Sequence, residues 1–247
     1  MRRISALLTF MAVLAMAAPM ALAQGGAVYM SPRIMLSFQN VDSKGYDLGR
    51  YDPDYRRFMN GDKDKAVFGG GLAAGYDFGI HYNTPIRLEA EFLGRTEAKA
   101  DFSDSMLGMT ARGDVKLWTQ TLFLNAYYDI PSENIWHPYV GVGLGLAHHD
   151  ARTTTKLTGV NPVITSMRPQ DTRTFTDRSS AWNFAYNLGA GISYPLDTGI
   201  DLDIGYRYSD FGDVTLKMIN TQTGVRLNNE VDSTAHEILF GLRFTGF

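Results

Sequence analysis

Five arginines and six carboxylates are the chemically active groups that stand out in this chain, and all of them have odd numbers: Arg33, Arg87, Arg95, Arg207 and Arg243 against Asp77, Glu89, Glu91, Asp201, Asp203 and Glu237. Each lies in a stretch where polar and apolar residues alternate, so a period of two puts the charges on one face of extended strands. If that face is enclosed, the charges must be paired, because an isolated ion withdrawn from water is too costly to keep. Ion pairing is therefore the expected chemistry. Asp201 and Asp203, early in one strand, should meet Arg243 near the end of the next, while Arg207 should lie nearer Glu237. A gated ion path is the other use for the same residues.

Two further sets compete with this one. His148, His149 and Asp150, with Ser179 and Ser180, offer a base and hydroxyl nucleophiles, but they match no catalytic motif and no catalytic residue is assigned. Asp52, Asp54, Asp62 and Asp64 invite a calcium site; their surroundings hold Lys44, Arg50, Arg56, Arg57, Lys63 and Lys65 and lack the oxygen-rich spacing of a calcium loop. A solvated, mixed-charge loop is the better reading, with no metal and no cofactor assigned.

The elements that must position the odd-numbered charges are eight alternating stretches, each with its apolar residues at even numbers. The clearest sets Ile86, Leu88, Ala90 and Phe92 against Arg87, Glu89, Glu91 and Arg95; another sets Val140, Val142, Leu144 and Leu146 against Gly141, Gly143 and Gly145. In the fourth, Gln120 and Phe123 break the pattern. The last sets Ile238, Phe240, Leu242 and Phe244 against Glu237, Gly241 and Arg243. Short turns at 79–85, 129–137 and 195–199 alternate with long loops at 40–66, 98–114, 150–179 and 212–232. In the third and fourth loops, β-prone runs at 153–157 and 163–167, then 214–219 and 224–231, read as hairpins that extend the wall.

Composition narrows what such strands build. The chain has 247 residues, no cysteine and a formal charge of -3, which excludes a disulfide framework and gives no electrostatic basis for binding nucleic acid. Arg2 and Arg3, an apolar stretch and Ala21-Leu22-Ala23 predict a secretory signal peptide over 1–23, with the barrel domain at 24–247. Beyond it no run approaches the roughly 20 apolar residues of a spanning helix, so a membrane span must be made of strands.

Which face is wet decides the class. A soluble eight-stranded barrel would turn its apolar stripe inward and show water a lysine-rich face. Here the odd face holds glycine, asparagine, serine, arginine and carboxylates, suited to a narrow, filled interior. The even face has aromatic ends: Phe38, Phe68, Trp118, Trp182 and Tyr208 toward the long loops, and Tyr76, Phe78, Tyr128, Tyr194 and Phe244 toward the short turns. Aromatic girdles around an aliphatic band predict an all-β, eight-stranded antiparallel up-and-down transmembrane barrel. Its partners would be outer-membrane lipid and lipopolysaccharide, with a host or cell-surface ligand on the long loops. The alternatives are a narrow porin-like channel and, through the histidine and serine set, a lipid A-modifying enzyme.

With these residues in place the chain resembles the opacity-type family of small outer-membrane proteins, which share an eight-stranded barrel with the outer-membrane-protein-A type. The resemblance is carried by NAYYDIPSENIWHPYVGVGLGLA at 125–147, LDIGYRYSDFGDV at 202–214 and the closing GLRF. It implies a surface-exposed, non-enzymatic barrel in a Gram-negative outer membrane, whose outer loops meet host molecules or other cells and whose plain role is envelope scaffold. One departure concerns the assembly signal: Phe247 has odd parity and Gly246 holds the even place, which leaves Phe244 as the assembly aromatic.

Overall fold

The computed structural model describes residues 26–43, 46–47, 57–58, 61–106, 109–159, 172–219 and 226–245. The expected leader, the terminal Gly246 and Phe247, and the run 163–167 lie outside the described residues, as do Asp52 and Asp54.

Alternation builds the wall. The antiparallel strands are β1 (Val28–Ser43), β4 (Gly61–Asp77), β5 (Ile86–Arg95) continued by β6 (Ala98–Met106), β7 (Met109–Asp129), β8 (His137–Gly159), β9 (Thr172–Asp197), β10 (Ile200–Ile219) and β11 (Arg226–Thr245). A small ribbon of β2 (Tyr46–Asp47) and β3 (Arg57–Phe58) belongs to the first loop. Neighbouring strands pair in sequence order, β5 also pairs with β7, and β1 pairs with β11, so the sheet closes on itself as an eight-stave barrel with β5 and β6 sharing one stave.

The two faces separate as the parity requires. Ile34, Phe68 and Leu124 are 68%, 70% and 70% exposed, whereas Ser31, Ser37 and Thr119 are fully buried. This inverts the arrangement of a soluble protein, and it is what a wall against hydrocarbon needs. At the short-turn end Tyr76 packs on Phe78 at 4.8 Å and Trp136 on Tyr194 at 5.5 Å. At the other end His148 packs on Trp182 at 4.5 Å, and the hydroxyl of Tyr206 lies 2.6 Å from His236 Nδ1.

Several sequence expectations change. The loop expected at 98–114 is mostly a hairpin, β6 against β7 from Ala98↔Leu117 to Met106↔Met109. Parity flips at Thr96 and Glu97, so Ala98, Ala100 and Phe102 are the buried residues, and an even-is-outward rule misses the strand. In the third loop the run 153–157 pairs with 173–177 instead of 163–167, whereas the fourth-loop hairpin forms as expected, with Val214 to Ile219 paired to Val231 to Arg226. Both broken positions of the fourth stretch keep their parity: Gln120 is exposed on the outer face and Phe123 is fully buried inside. The turn after β4 holds a short helix, α1 (Phe78–Tyr82), where the Asp77 side chain accepts from the Gly79 amide at 2.8 Å and Asn83 closes it at φ 49°.

Beyond the girdle the ring opens into two sheets. Pairing of β9 with β10 reaches outward only to Asp210↔Tyr186, and that of β4 with β5 only to Gly69↔Arg95. Among the described residues the outer wall is therefore β6-β7-β8-β9 on one side and β10-β11-β1-β4 on the other.

Candidate functional site

The inward arginines and carboxylates form a bridge across the lumen. Arg33, on β1, grips Glu89 of β5 with both terminal nitrogens, at 2.7 and 2.6 Å, and reaches Glu91 at 2.6 Å. Glu91 also accepts from Arg207 of β10 at 2.6 Å. Arg207 and Glu237, direct partners across β10 and β11, meet at 2.8 Å, and Glu237 takes a further bond from Arg95 Nε at 2.8 Å. Ser37 and Ser209 each donate to Glu237, at 3.1 and 3.0 Å. Forked guanidiniums suit this linkage because one planar group can serve two carboxylates. The result is a continuous chain of charge-assisted bonds from one side of the wall to the other.

Two more pairs lie toward the short-turn end. Arg243 bonds Asp201 at 2.8 Å and Ser193 at 2.9 Å; Arg87 bonds Asp129 at 2.7 Å. Aromatic faces support these cations: Arg87 lies 5.1 and 5.0 Å from the ring centres of Tyr127 and Tyr139, and Arg95 lies 4.3 Å from that of Phe211. A guanidinium so placed gains cation–π attraction in a desolvated site. Glycine makes the room: a methyl group on Gly143 would collide with the Asn125 and Asn187 side chains, which bond each other at 3.0 Å.

Three carboxylates sit differently from the expected lumen set. Asp77 caps α1 and does not serve Arg87, although the two are register partners. Asp129, assigned to a turn in the sequence reading, takes that role. Asp203 does not join Arg243; it is buried, and neither carboxylate oxygen has a hydrogen-bond partner among the described residues. It lines a cavity of about 30 Å³ with Arg33, Tyr127, Tyr139, Asn187 and Arg207, room for little more than a water molecule. Parity alone could have placed Tyr127, Tyr139 and Asp129 inside, since all three have odd numbers.

The histidine and serine set does not assemble as one centre. His148 faces outward with Nε2 3.0 Å from Ser180 Oγ, while His149 faces inward, 3.0 Å from Thr119 Oγ1 and 3.1 Å from the Phe211 carbonyl. Successive residues of a strand point to opposite faces, so the two histidines cannot share a reaction centre. Asp62 and Asp64 lie in β4, one strand of a ladder, and among the described residues no cluster of side chains converges as metal ligands.

Comparison with known proteins agrees with this architecture. The family model described as outer membrane protein beta-barrel domain matches residues 6–244. Outer membrane protein PagN of Salmonella typhimurium is 32% identical over 161 residues, 63% of this chain and 62% of its own length. The chain's match thus spans somewhat less than two thirds of that relative. Among solved structures, the outer membrane protease OmpT of Escherichia coli superposes with a TM-score of 0.52 at 9% identity, over 89% of this chain and 96% of that one, a likeness of fold alone. Neisserial surface protein A superposes with a TM-score of 0.47 at 17% identity, over 91% and 100%. The chain belongs to the outer membrane protein beta-barrel family and resides in the outer membrane of a Gram-negative cell.

Proposed function

We propose that the protein is a non-enzymatic, surface-exposed scaffold of the outer membrane whose lumen is closed and whose contacts are made by its outer strands and loops. The observation that carries this reading is the bridge Arg33–Glu89/Glu91–Arg207–Glu237–Arg95, buried throughout and tied to four strands. A barrel of eight strands leaves an interior only wide enough for side chains, and here the side chains are bonded to one another. The signal peptide over 1–23 delivers the chain to the envelope, and the wall sits among lipid and lipopolysaccharide.

Contact with a host or neighbouring cell falls to the outer parts of 40–66, 98–114, 150–179 and 212–232. The support is the split of the outer wall: an edge of β9 beyond Tyr186 faces an edge of β10 beyond Asp210 without ladder pairing among the described residues. Such edges accept an extended segment by backbone pairing. Refolded protein in a planar bilayer should give no discrete single-channel steps; steady unitary conductance would replace the scaffold with the narrow-channel reading. Cells carrying deletions in each loop should adhere less to their target surface, and unchanged adhesion across all four deletions would remove the contact role.

A further inference from the structure

Register places outward charges of one sign in single rows, and one such row on each half of the outer wall is opposite in sign to the other. On β6 to β9, Lys99 faces Lys116, Lys116 faces Arg152 and Arg152 faces Arg178. All four side chains lie on the outer face; Lys99 and Lys116 are 51% and 35% exposed. On the other half, Asp213 faces Asp232, Asp232 faces Asp42, and Asp62 is in register with Asp42. The row just inside it runs Asp64, Asn40, Thr234, Asp210. No lysine or arginine occupies either of these two rows.

Like charges directly opposite each other across a sheet are destabilising, and here the arrangement recurs through successive pairs. Carboxylates do face the cationic row: Glu97 meets Lys116 at 3.1 Å and Asp101 meets Lys99 at 3.4 Å, while Asp150 lies one row inside and Asp114 one row outside. Both pairs are solvent-exposed, so screening leaves them weak. Further out, Arg112 and Lys156 add another facing cation pair.

Height makes the rows complementary between molecules. Lys116 lies one register step beyond Trp118 and Arg178 two beyond Trp182; Asp42 lies two beyond Phe38. A step is two residues, about 7 Å along a strand. Copies inserted in one membrane share their orientation, so rows one to two steps beyond the outer aromatic residues are presented to one another by neighbouring copies.

We propose that this belt is a docking surface for a second copy of the chain, with the row Lys99–Lys116–Arg152–Arg178 of one barrel set against the row Asp213–Asp232–Asp42 of the next. The contact is heterologous, so repetition gives a ring or an open file of barrels in the membrane plane. Its residues stand on the strands at the base of the long loops.

The full chain, refolded into phosphatidylcholine bilayers at low density, provides the test, using energy transfer between labelled copies. Carbodiimide cross-linking of mixed 14N and 15N protein identifies the joined residues. Wild type should associate and yield mixed-isotope links from Lys99 or Lys116 to Asp42 or Asp213, with association falling about tenfold as added salt shortens the screening length. The variants Lys116→Glu/Arg152→Glu and Asp42→Lys/Asp213→Lys should each stop associating with themselves. Mixed together they should associate again. All four positions are on the outer face, and heat-modifiable gel migration checks that each variant is folded. A monomeric wild type, variants that still self-associate, a mixture that does not, or association that appears only on adding bisphosphorylated lipid A would each overturn the proposal.

Discussion

Arg207 and Glu237 face each other directly across β10 and β11, and Glu237 simultaneously receives Arg95 from β5, so one carboxylate ties two cations and three strands. All three side chains are buried. The cost of removing such a group comes chiefly from the charges left behind.

Glu237→Ala strands Arg95 and Arg207 and should lower the barrel's unfolding free energy by about 3–5 kcal/mol. Urea unfolding of the refolded protein, followed by tryptophan fluorescence, measures it. A loss below about 1 kcal/mol would mean that water, and not Glu237, serves these arginines.

Arg243→Ala should cost less. Its partner Asp201 retains 24% of its side-chain exposure, so the carboxylate left behind can be hydrated. Thermal unfolding in detergent should shift down by a few degrees, roughly the effect of 1 kcal/mol or slightly more. An unchanged transition would show that the pair adds nothing.

Asp203→Asn should go the other way. The carboxylate is buried and neither oxygen is bonded, so replacing it by a neutral isostere removes a desolvated charge and loses no hydrogen bond seen in the structure. The expected outcome is equal or higher stability. A fall of about 2 kcal/mol or more would reveal an ion pair or bound water that depends on the charge.

The strands and their faces were legible because period two survives in every membrane-crossing stretch, from Ile86 to Phe92 as clearly as from Ile238 to Phe244. Parity also places Arg207 and Glu237 on the same face. Partner choice is less legible, since it depends on which side chains reach across the lumen. Arg95 and Glu237 are 142 residues apart and on non-adjacent staves, and no local pattern links them. Asp203 and Asp201 look equivalent in sequence, yet only Asp201 bonds Arg243, its direct register partner. The outer wall was hardest to read. Parity flips at Thr96 and Glu97, and again at the bulge between Asp210 and Asp213. Each flip turns the following residues to the opposite face, which hid β6 and sent Asp213 outward.

That bulge supports a fourth prediction. Gly212 has φ +71° and donates its amide to the Asp210 carboxylate at 2.9 Å, while Phe211 turns inward beneath Arg95. Gly212→Val would strain the backbone and meet Asn183, whose side chain bonds the Asp213 carbonyl at 2.6 Å. Stability should fall by about 1–3 kcal/mol, and Gly212→Asn, which tolerates positive φ, should recover much of it. Equal stability of the three proteins would show that the bulge relaxes freely.

Closure of the barrel joins its first strand to its last, from Tyr29 against Thr245 to Ser43 against Val231. A ring sealed by residues so far apart in sequence cannot close until β11 has been made. Until then the lipid-facing stripe stays unburied and both outer strands keep an open edge. High contact order also makes closure slow and exposes the open edges to aggregation. Truncation within β11 would thus leave β1 and β10 each without a partner on one side, two open edges in place of one seam.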